Sequence, residues 1–475
     1  MKQIEATIQI TYNWHFARDF PELPPNLIER PHFLETILEI LSNDTPIVFL
    51  EGEEGDGATT TLAQFCHHYA EHTFALFIKP ASRFAYSLDY LRLTLAEQFY
   101  WYLYGTSLNK DTLDESEFAS LLLKTQRKER TKTLYFVVDG LHQIPADEAH
   151  VVGIILKEVL PIGMDRCRFI ITGQQSGLSP LLQSSIKSKP YQQLRFQPQE
   201  SRIFLADTDI QEADNSIIHS LCRGIPGRLA AVRRLLLSGT SLASILENDP
   251  TKYLEFVKLE FAVIPAMEES EQMTIAAIAF SKMGLSVDNI ASLVGITADA
   301  VKSTLSHCQF MVTTNASQVA FISETHRKFA CRQLDRFKTA SLEAQLHYLR
   351  DNPRSEASLR FLPTYYESLN QLGALVDLLS NEHYCDLLES TQSFAELRSR
   401  AESGARSAAS LHRTHDVFKF SLQRTIFASA STAESDPARI EALVALGKSN
   451  AALVLALAKA EVTQEDRLDL LCAYC

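Results

Sequence analysis

The sequence is short of almost everything that marks a secreted, membrane-bound or metal-dependent protein. Within its 475 residues no run reaches the roughly 20 consecutive apolar residues that a membrane span needs, and the N-terminus has no signal-peptide core. The eight cysteines are scattered and follow neither a disulfide framework nor a zinc spacing. The one C-x-x-C, from Cys472 to Cys475, has no partner pair upstream and reads as a helix face rather than as redox or metal chemistry. Positive charge is scarce as well. Lys and Arg number 45 against 58 Asp and Glu, a net charge of −13, which argues against wholesale nucleic-acid binding. Together these absences point to the cytoplasm. The most telling absence is a single lysine, and its meaning depends on what surrounds it.

What is present is ordinary globular material, 46% hydrophobic and 22% charged, in a chain long enough for about two to four domains. Residues 4–14 alternate apolar and polar, as a half-buried strand does. A proline-rich connection, Pro21–Pro25, leads to an amphipathic helix over Phe33–Leu41. Strand-like runs follow at Ile47–Leu50, Phe74–Lys79, Leu134–Val138, Arg168–Thr172 and Gln193–Phe196. Helical patterns separate them, from Thr59 to about His72 and over Tyr86–Tyr104 and Ser116–Gln126. That alternation predicts an α/β parallel sheet covered on both faces, with ligand outside the carboxyl ends of its strands.

Beyond about residue 200 the strand signal fades. The exception is 271–334, where a helix over Met273–Lys282, a helix-turn-helix pattern and a β-like pair, Phe310–Thr314 and Val319–Ile322, follow in the order of a winged helix. After it come apolar stripes such as Leu342/Leu346/Leu349 and Leu453/Leu457, in the manner of an α-solenoid. The expected organisation is an N-terminal strand and helix over 1–45, a P-loop NTPase-like α/β domain over 46–200, and a helical domain over 201–270. A winged helix over 271–335 and a TPR-like helical array over 336–475 complete it. The last helix runs to the end without a cap, as in a fragment of a longer protein.

The lysine is missing from Pro46–Thr61, PIVFLEGEEGDGATTT. Gly52, Gly55, Gly57 and Thr59 stand where a Walker A loop (G-x-x-x-x-G-K-[ST]) places its glycines and hydroxyl, and Ala58 stands at the lysine. The glycines let backbone N–H groups approach phosphate, and the helix that follows turns its N-terminus toward the anion. The second element is Leu134–Asp139, an apolar strand ending in the aspartate that would hold a Mg²⁺ shell, as in Walker B.

These and further motifs resemble the signal-transduction ATPases with numerous domains, the STAND class that includes NACHT and NB-ARC proteins. Asp139-Gly-Leu-His-Gln143 is similar to the family's D-G-L-D-E form of Walker B, and Leu27-Ile-Glu-Arg30 to its hhGRE motif. Arg168-Phe-Ile-Ile-Thr-Gly-Gln174 resembles the sensor-1 strand, and Gly224-Ile-Pro226 the GxP motif. The resemblance implies ATP or ADP with Mg²⁺ as cofactor. It assigns nucleotide contacts to Gly52, Gly55, Gly57, Ala58, Thr59, Thr60, Asp139, Arg30, Thr172 and Pro226, with Thr59 and Asp139 toward the metal. It further implies a C-terminal array that senses a protein partner or ligand, oligomerisation on domain opening, and a role in bacterial signalling or antiviral defence.

The departures cluster around the terminal phosphate. Ala58 replaces the lysine, His142 and Gln143 occupy the acidic positions, Gln174 replaces the sensor arginine, Glu29 the glycine, and Ser323 stands where many members place a winged-helix histidine. Phosphoryl transfer depends on positioning and electrostatics, and loss of one arginine finger alone costs about 10³–10⁵ elsewhere. The expectation is a regulatory protein that holds nucleotide weakly or as a static clasp and hydrolyses it poorly, with no confident catalytic residue. The alternatives are an active ATPase with an unorthodox lysine supplied elsewhere, such as Lys79 or one from a neighbouring subunit, and a winged-helix transcriptional regulator. Against the latter, the recognition-helix segment Thr297–Lys302 offers one lysine and one aspartate. The basic run Lys124–Lys132 reads as a solvated helix end, and the aromatic cluster Phe99–Tyr104 as core or interface.

Overall fold

The computed structural model describes residues 21–432 apart from 22, 25, 43–44, 79–85, 109–112, 114, 129–130, 145–147, 183–185, 193–194, 209, 314–316 and 392–393. The alternating 4–14 stretch, Lys79, the Leu453/Leu457 stripe and the Cys472–Cys475 end lie outside the described residues. Two compact units divide the chain. One takes in the chain up to Leu108 with Leu121–Gln272 and Asp299–Gln333; the other takes Asn109–Ser120, Met273–Ala298 and the chain from Leu334 onward.

The first unit is built on five parallel strands: β1 (Ile47–Glu51), β2 (Thr73–Phe77), β3 (Leu134–Asp139), β4 (Cys167–Thr172) and β5 (Ser188–Gln192), in the order β2-β3-β4-β1-β5. Their inner members are near-continuous apolar runs, as strands buried on both faces must be. On one face, α1 (Pro31–Ser42) and α2 (Ala58–His68) set Phe33, Ile37, Leu62 and Phe65 against Val48, Leu50, Val137 and Ile170. On the other, α3 (Leu88–Tyr104) lays Phe99 edge-on to Phe74, ring centres 4.8 Å apart.

The two edges of the sheet are handled differently. At β2 the buried Gln98 of α3 returns both hydrogen bonds of Ala75, each at 2.9 Å, so that strand carries no open pair of backbone groups there. At the other edge β5 is short, polar and exposed and contains Pro190, a residue that edge strands tolerate. Of the expected strand at Gln193–Phe196, residues 193–194 lie outside the described residues, and Arg195 and Phe196 are not in a strand. The apolar signal of Phe196 belongs instead to the following core, where it packs with Leu205, Ile218, Leu229 and Phe256.

Along the chain α4 (Glu115–Lys128) precedes β3, α5 (Ala149–Ile154) precedes β4 and α6 (Gln175–Leu178) precedes β5, and the second core is made by the helices that come next. They are α7 (Pro198–Phe204), α8 (Glu212–Cys222), α9 (Pro226–Leu237), α10 (Leu242–Glu247) and α11 (Tyr253–Glu260). The order α12 (Glu269–Phe280), α13 (Val287–Val294), α14 (Ala298–His307), an antiparallel hairpin of β6 (Met311–Thr313) and β7 (Gln318–Phe321), and α15 (Glu324–Gln333) is the order expected of the winged-helix stretch. From there to Thr432 the described chain is helical: α16 (Lys338–Asp351), α17 (Glu356–Ser368), α18 (Leu372–Leu378), α19 (Asn381–Thr391), α20 (Phe394–Ser410) and α21 (Thr414–Thr432). In this second unit Gly404 of α20 lies so close to Leu379 and Phe420 that a Cβ would meet both at 3.0 Å. No described helix is long and apolar enough to cross a membrane. The fold is thus a parallel five-stranded α/β core followed by a largely helical C-terminal region.

Candidate nucleotide site

Strand β1 delivers the chain to the sheet's carboxyl edge and the loop 52–57 turns it into α2. The turn requires Gly57, which has φ +83° and caps α2 without any side-chain hydrogen bond. The first-turn N–H groups of α2 are therefore left for an anion or solvent. Beneath them three predicted residues converge. The Thr59 hydroxyl donates to Asp139 Oδ2 at 2.6 Å and the Thr172 hydroxyl to Asp139 Oδ1, also at 2.6 Å. Asp139 is buried at the end of β3, Thr172 is buried at the end of β4, and Thr59 remains exposed. The strand order explains the meeting: β4 lies between β1 and β3, so the ends of all three form one shelf.

Other predicted residues are placed apart from this trio. Arg30 is buried, donates to the Arg195 carbonyl at 2.8 Å, stands 3.6 Å from Glu200 and lies over the Phe196 ring. Burial lowers its guanidinium pKa, against the opposing pull of Glu200. His142 is exposed and Gln143 half-buried on the single turn after β3, and Gln174 is exposed after β4. Thr60 sits half-buried in the first turn of α2, and Gly52 is exposed. Ala58 turns its methyl to the core cluster under α2.

Pro226 does reach the loop, and residues around it were not anticipated. The Gly227 N–H at the start of α9 donates to the Gly55 carbonyl at 2.7 Å, and Pro226 lies 3.6 Å from where a Cβ on Gly57 would be. Arg228 reaches Glu53 at 3.2 Å and Arg195 reaches the other Glu53 oxygen at 3.6 Å. Tyr253 covers Gly55, and the Thr325 hydroxyl donates to Glu54. The sequence signal for this rim was available in the acids Glu51, Glu53, Glu54 and Asp56 and in the arginine directly after Gly224–Gly227. Burial pushes the Asp56 carboxyl up, and the Glu53 charge adds to the effect. The Glu53 N–H, Arg195 and Arg228 oppose it.

Ser323 lies beside a histidine. Its hydroxyl lies 2.7 Å from Nδ1 of His326, whose Nε2 is 3.0 Å from Glu260; Arg234 also binds Glu260. His326 and Glu260 are buried among Phe261, Phe310 and Tyr253, Arg234 is half-buried, and together the three tie α15 to α9 and α11.

Among the described residues no group of three or more His, Cys, Asp or Glu side chains is placed to hold a metal ion. Thr59 and Asp139 nevertheless offer one hydroxyl and one carboxylate side by side. That is the sparse donor set Mg²⁺ accepts when phosphate oxygens and waters fill its remaining positions. On the DNA question, Lys302 of α14 is 3.4 Å from Asp299, so the one base of that segment faces its acid.

No protein-family model matches the sequence, and no curated protein does. Solved structures with a similar fold include a STAND protein with a tetratricopeptide-repeat sensor from Pyrococcus horikoshii, at TM-score 0.48 and 11% identity, covering 96% of this chain and 77% of that one. A Walker-type ATPase of Pyrococcus abyssi follows at TM-score 0.38 and 13% identity, covering 66% and 99%. Cdc6p from Pyrobaculum aerophilum gives TM-score 0.31 and 14% identity, covering 69% and 97%.

Proposed function

We propose that this protein is a STAND-like regulatory switch with a degenerate Walker A loop, which holds ADP or ATP weakly as a static clasp and lacks efficient hydrolysis. The observation that carries this reading is the Thr59–Asp139–Thr172 shelf below a loop that has Ala58 in place of lysine. The groups suited to a Mg²⁺ ion keep their chemistry. Those that would grip and cleave a terminal phosphate do not: Ala58 has no charge, and His142, Gln143 and Gln174 supply neither a carboxylate nor an arginine. When bound, Mg-nucleotide would supply the charge that draws the loop and α9 together. Recognition of a protein partner or ligand falls to the helices from α16 onward, whose stacked pairs are suited to a broad concave surface. Oligomerisation, and service in signalling or antiviral defence, extend the same reading.

Calorimetric titration with ADP and ATP, with and without Mg²⁺, tests it. Wild type should bind weakly and only with Mg²⁺, and Asp139→Asn should weaken that binding. Ala58→Lys should tighten it by about 10–100-fold, the value of one charge-assisted contact. ATP turnover should stay at background. Binding by Ala58→Lys alone would mark a site kept for shape, and turnover abolished by Asp139→Asn would replace the clasp with an active ATPase.

A further inference from the structure

The loop 52–57 is acidic, and no lysine or arginine lies in the sequence between Arg30 and Lys79. Cations reach its rim from Arg228 at the start of α9 and from Arg195 before α7. Arg228 is only 5% exposed, yet its Nε and Nη1 are buried without a hydrogen-bond partner; Nη2 alone is used, on Glu53. A guanidinium holds five donors in a rigid fork suited to carboxylate or phosphate, and leaving them buried and unused is costly. The helix that carries it is held to the loop by the Gly227 to Gly55 hydrogen bond. Glu53, by contrast, is 61% exposed, and its two oxygens bridge the two arginines as a phosphate group would.

We propose, building on the nucleotide reading above, that Glu53 is a resident stand-in for phosphate. Its carboxylate occupies Arg228 and Arg195, and the phosphate end of a nucleoside di- or triphosphate must displace it to bind. Arg228 then serves in place of the cation absent at position 58. The spare Nε and Nη1 donors of Arg228 give a phosphate more to bind than Glu53 takes, so the exchange favours phosphate once the carboxylate is gone. Weak binding by the wild type follows from this competition as well as from Ala58.

The test is calorimetry on the full chain with MgADP and, separately, with inorganic pyrophosphate. Glu53→Gln keeps the shape of the exposed side chain and removes its charge. It should tighten both ligands about tenfold or more, and the double variant Glu53→Gln with Arg228→Gln should lose the gain. Thermal melts establish that each variant is folded. If the double variant does not fold, Glu53→Gln with the more exposed Arg195→Gln should show a partial loss. Tightening that survives in the double variant would overturn the proposal, since relief of general loop charge would then suffice. Tightening for MgADP but not for pyrophosphate would overturn it too. If Glu53→Gln leaves affinity unchanged while Ala58→Lys raises it, the nucleotide site stands and the competition does not. If neither variant binds, the nucleotide reading falls and takes the proposal with it.

Discussion

Helix α9 carries two arginines that each meet a glutamate, and the two pairs behave as opposites. Arg228 faces the loop 52–57 and meets Glu53, which is 61% exposed. Arg234, on the same helix, meets Glu260, whose side chain is 3% exposed and also binds His326, fully buried. An ion pair with an exposed partner contributes little and is given up readily; a buried, hydrogen-bonded trio is expensive to break from either side. The side-chain contact at the far end of the helix is therefore firm, while the one at the loop, beside the Gly227 to Gly55 backbone bond, is exchangeable. The proposed switch needs that asymmetry: the contact near the proposed nucleotide must be exchangeable without unfolding what holds the helix in place.

Breaking the anchored end should have the largest effect. Glu260→Ala leaves the buried His326 and the half-buried Arg234 without their shared carboxylate and should cost about 3–5 kcal/mol in chemical denaturation. Acid tests the same contrast. Burial lowers the His326 imidazole and Arg234 adds to this, while the Glu260 hydrogen bond opposes it. In the other unit, burial with Arg400 nearby brings His383 down to about 4. A histidine depressed in the folded state takes up its proton more readily when unfolded. Its stabilising effect is complete above about pH 6.5 and is lost as the pH falls toward the folded value. Stability should therefore decline from pH 7 to pH 4, with up to about 3 kcal/mol of that due to His383, and His383→Gln should remove that part of the slope. A denaturation midpoint independent of pH over this range would contradict the burial of both histidines.

The contrast also marks what could be read from the sequence. The central strands β1, β3 and β4 were plain because burial on both faces demands unbroken apolar runs, and the glycine spacing located the loop between β1 and α2. Thr59, Asp139 and Thr172 were legible as separate motifs, and their joining followed from strand order. The strand β5 was missed because an exposed edge strand has no apolar signature to find, and Phe196 drew attention to the wrong residues. Arg228, Glu53 and His326 were missed for a different cause. Each acquires its role from a partner 66 to 175 residues away, and no local period encodes such a pairing.

The latched end should yield the smallest change. In Glu53→Gln the lost charge was largely in water, the amide oxygen can still accept from Arg228, and Asp56 remains near it, so stability should fall by about 1 kcal/mol or less. The deficit should shrink further between about 0.05 and 0.5 M salt, because screening already weakens the wild-type pair. Chemical denaturation of wild type and Glu53→Gln at the two salt concentrations measures both quantities. A loss as large as that of Glu260→Ala, or one unmoved by salt, would mean that the loop is fastened as firmly as the buried end. The helix would then have no exchangeable contact for a phosphate to replace.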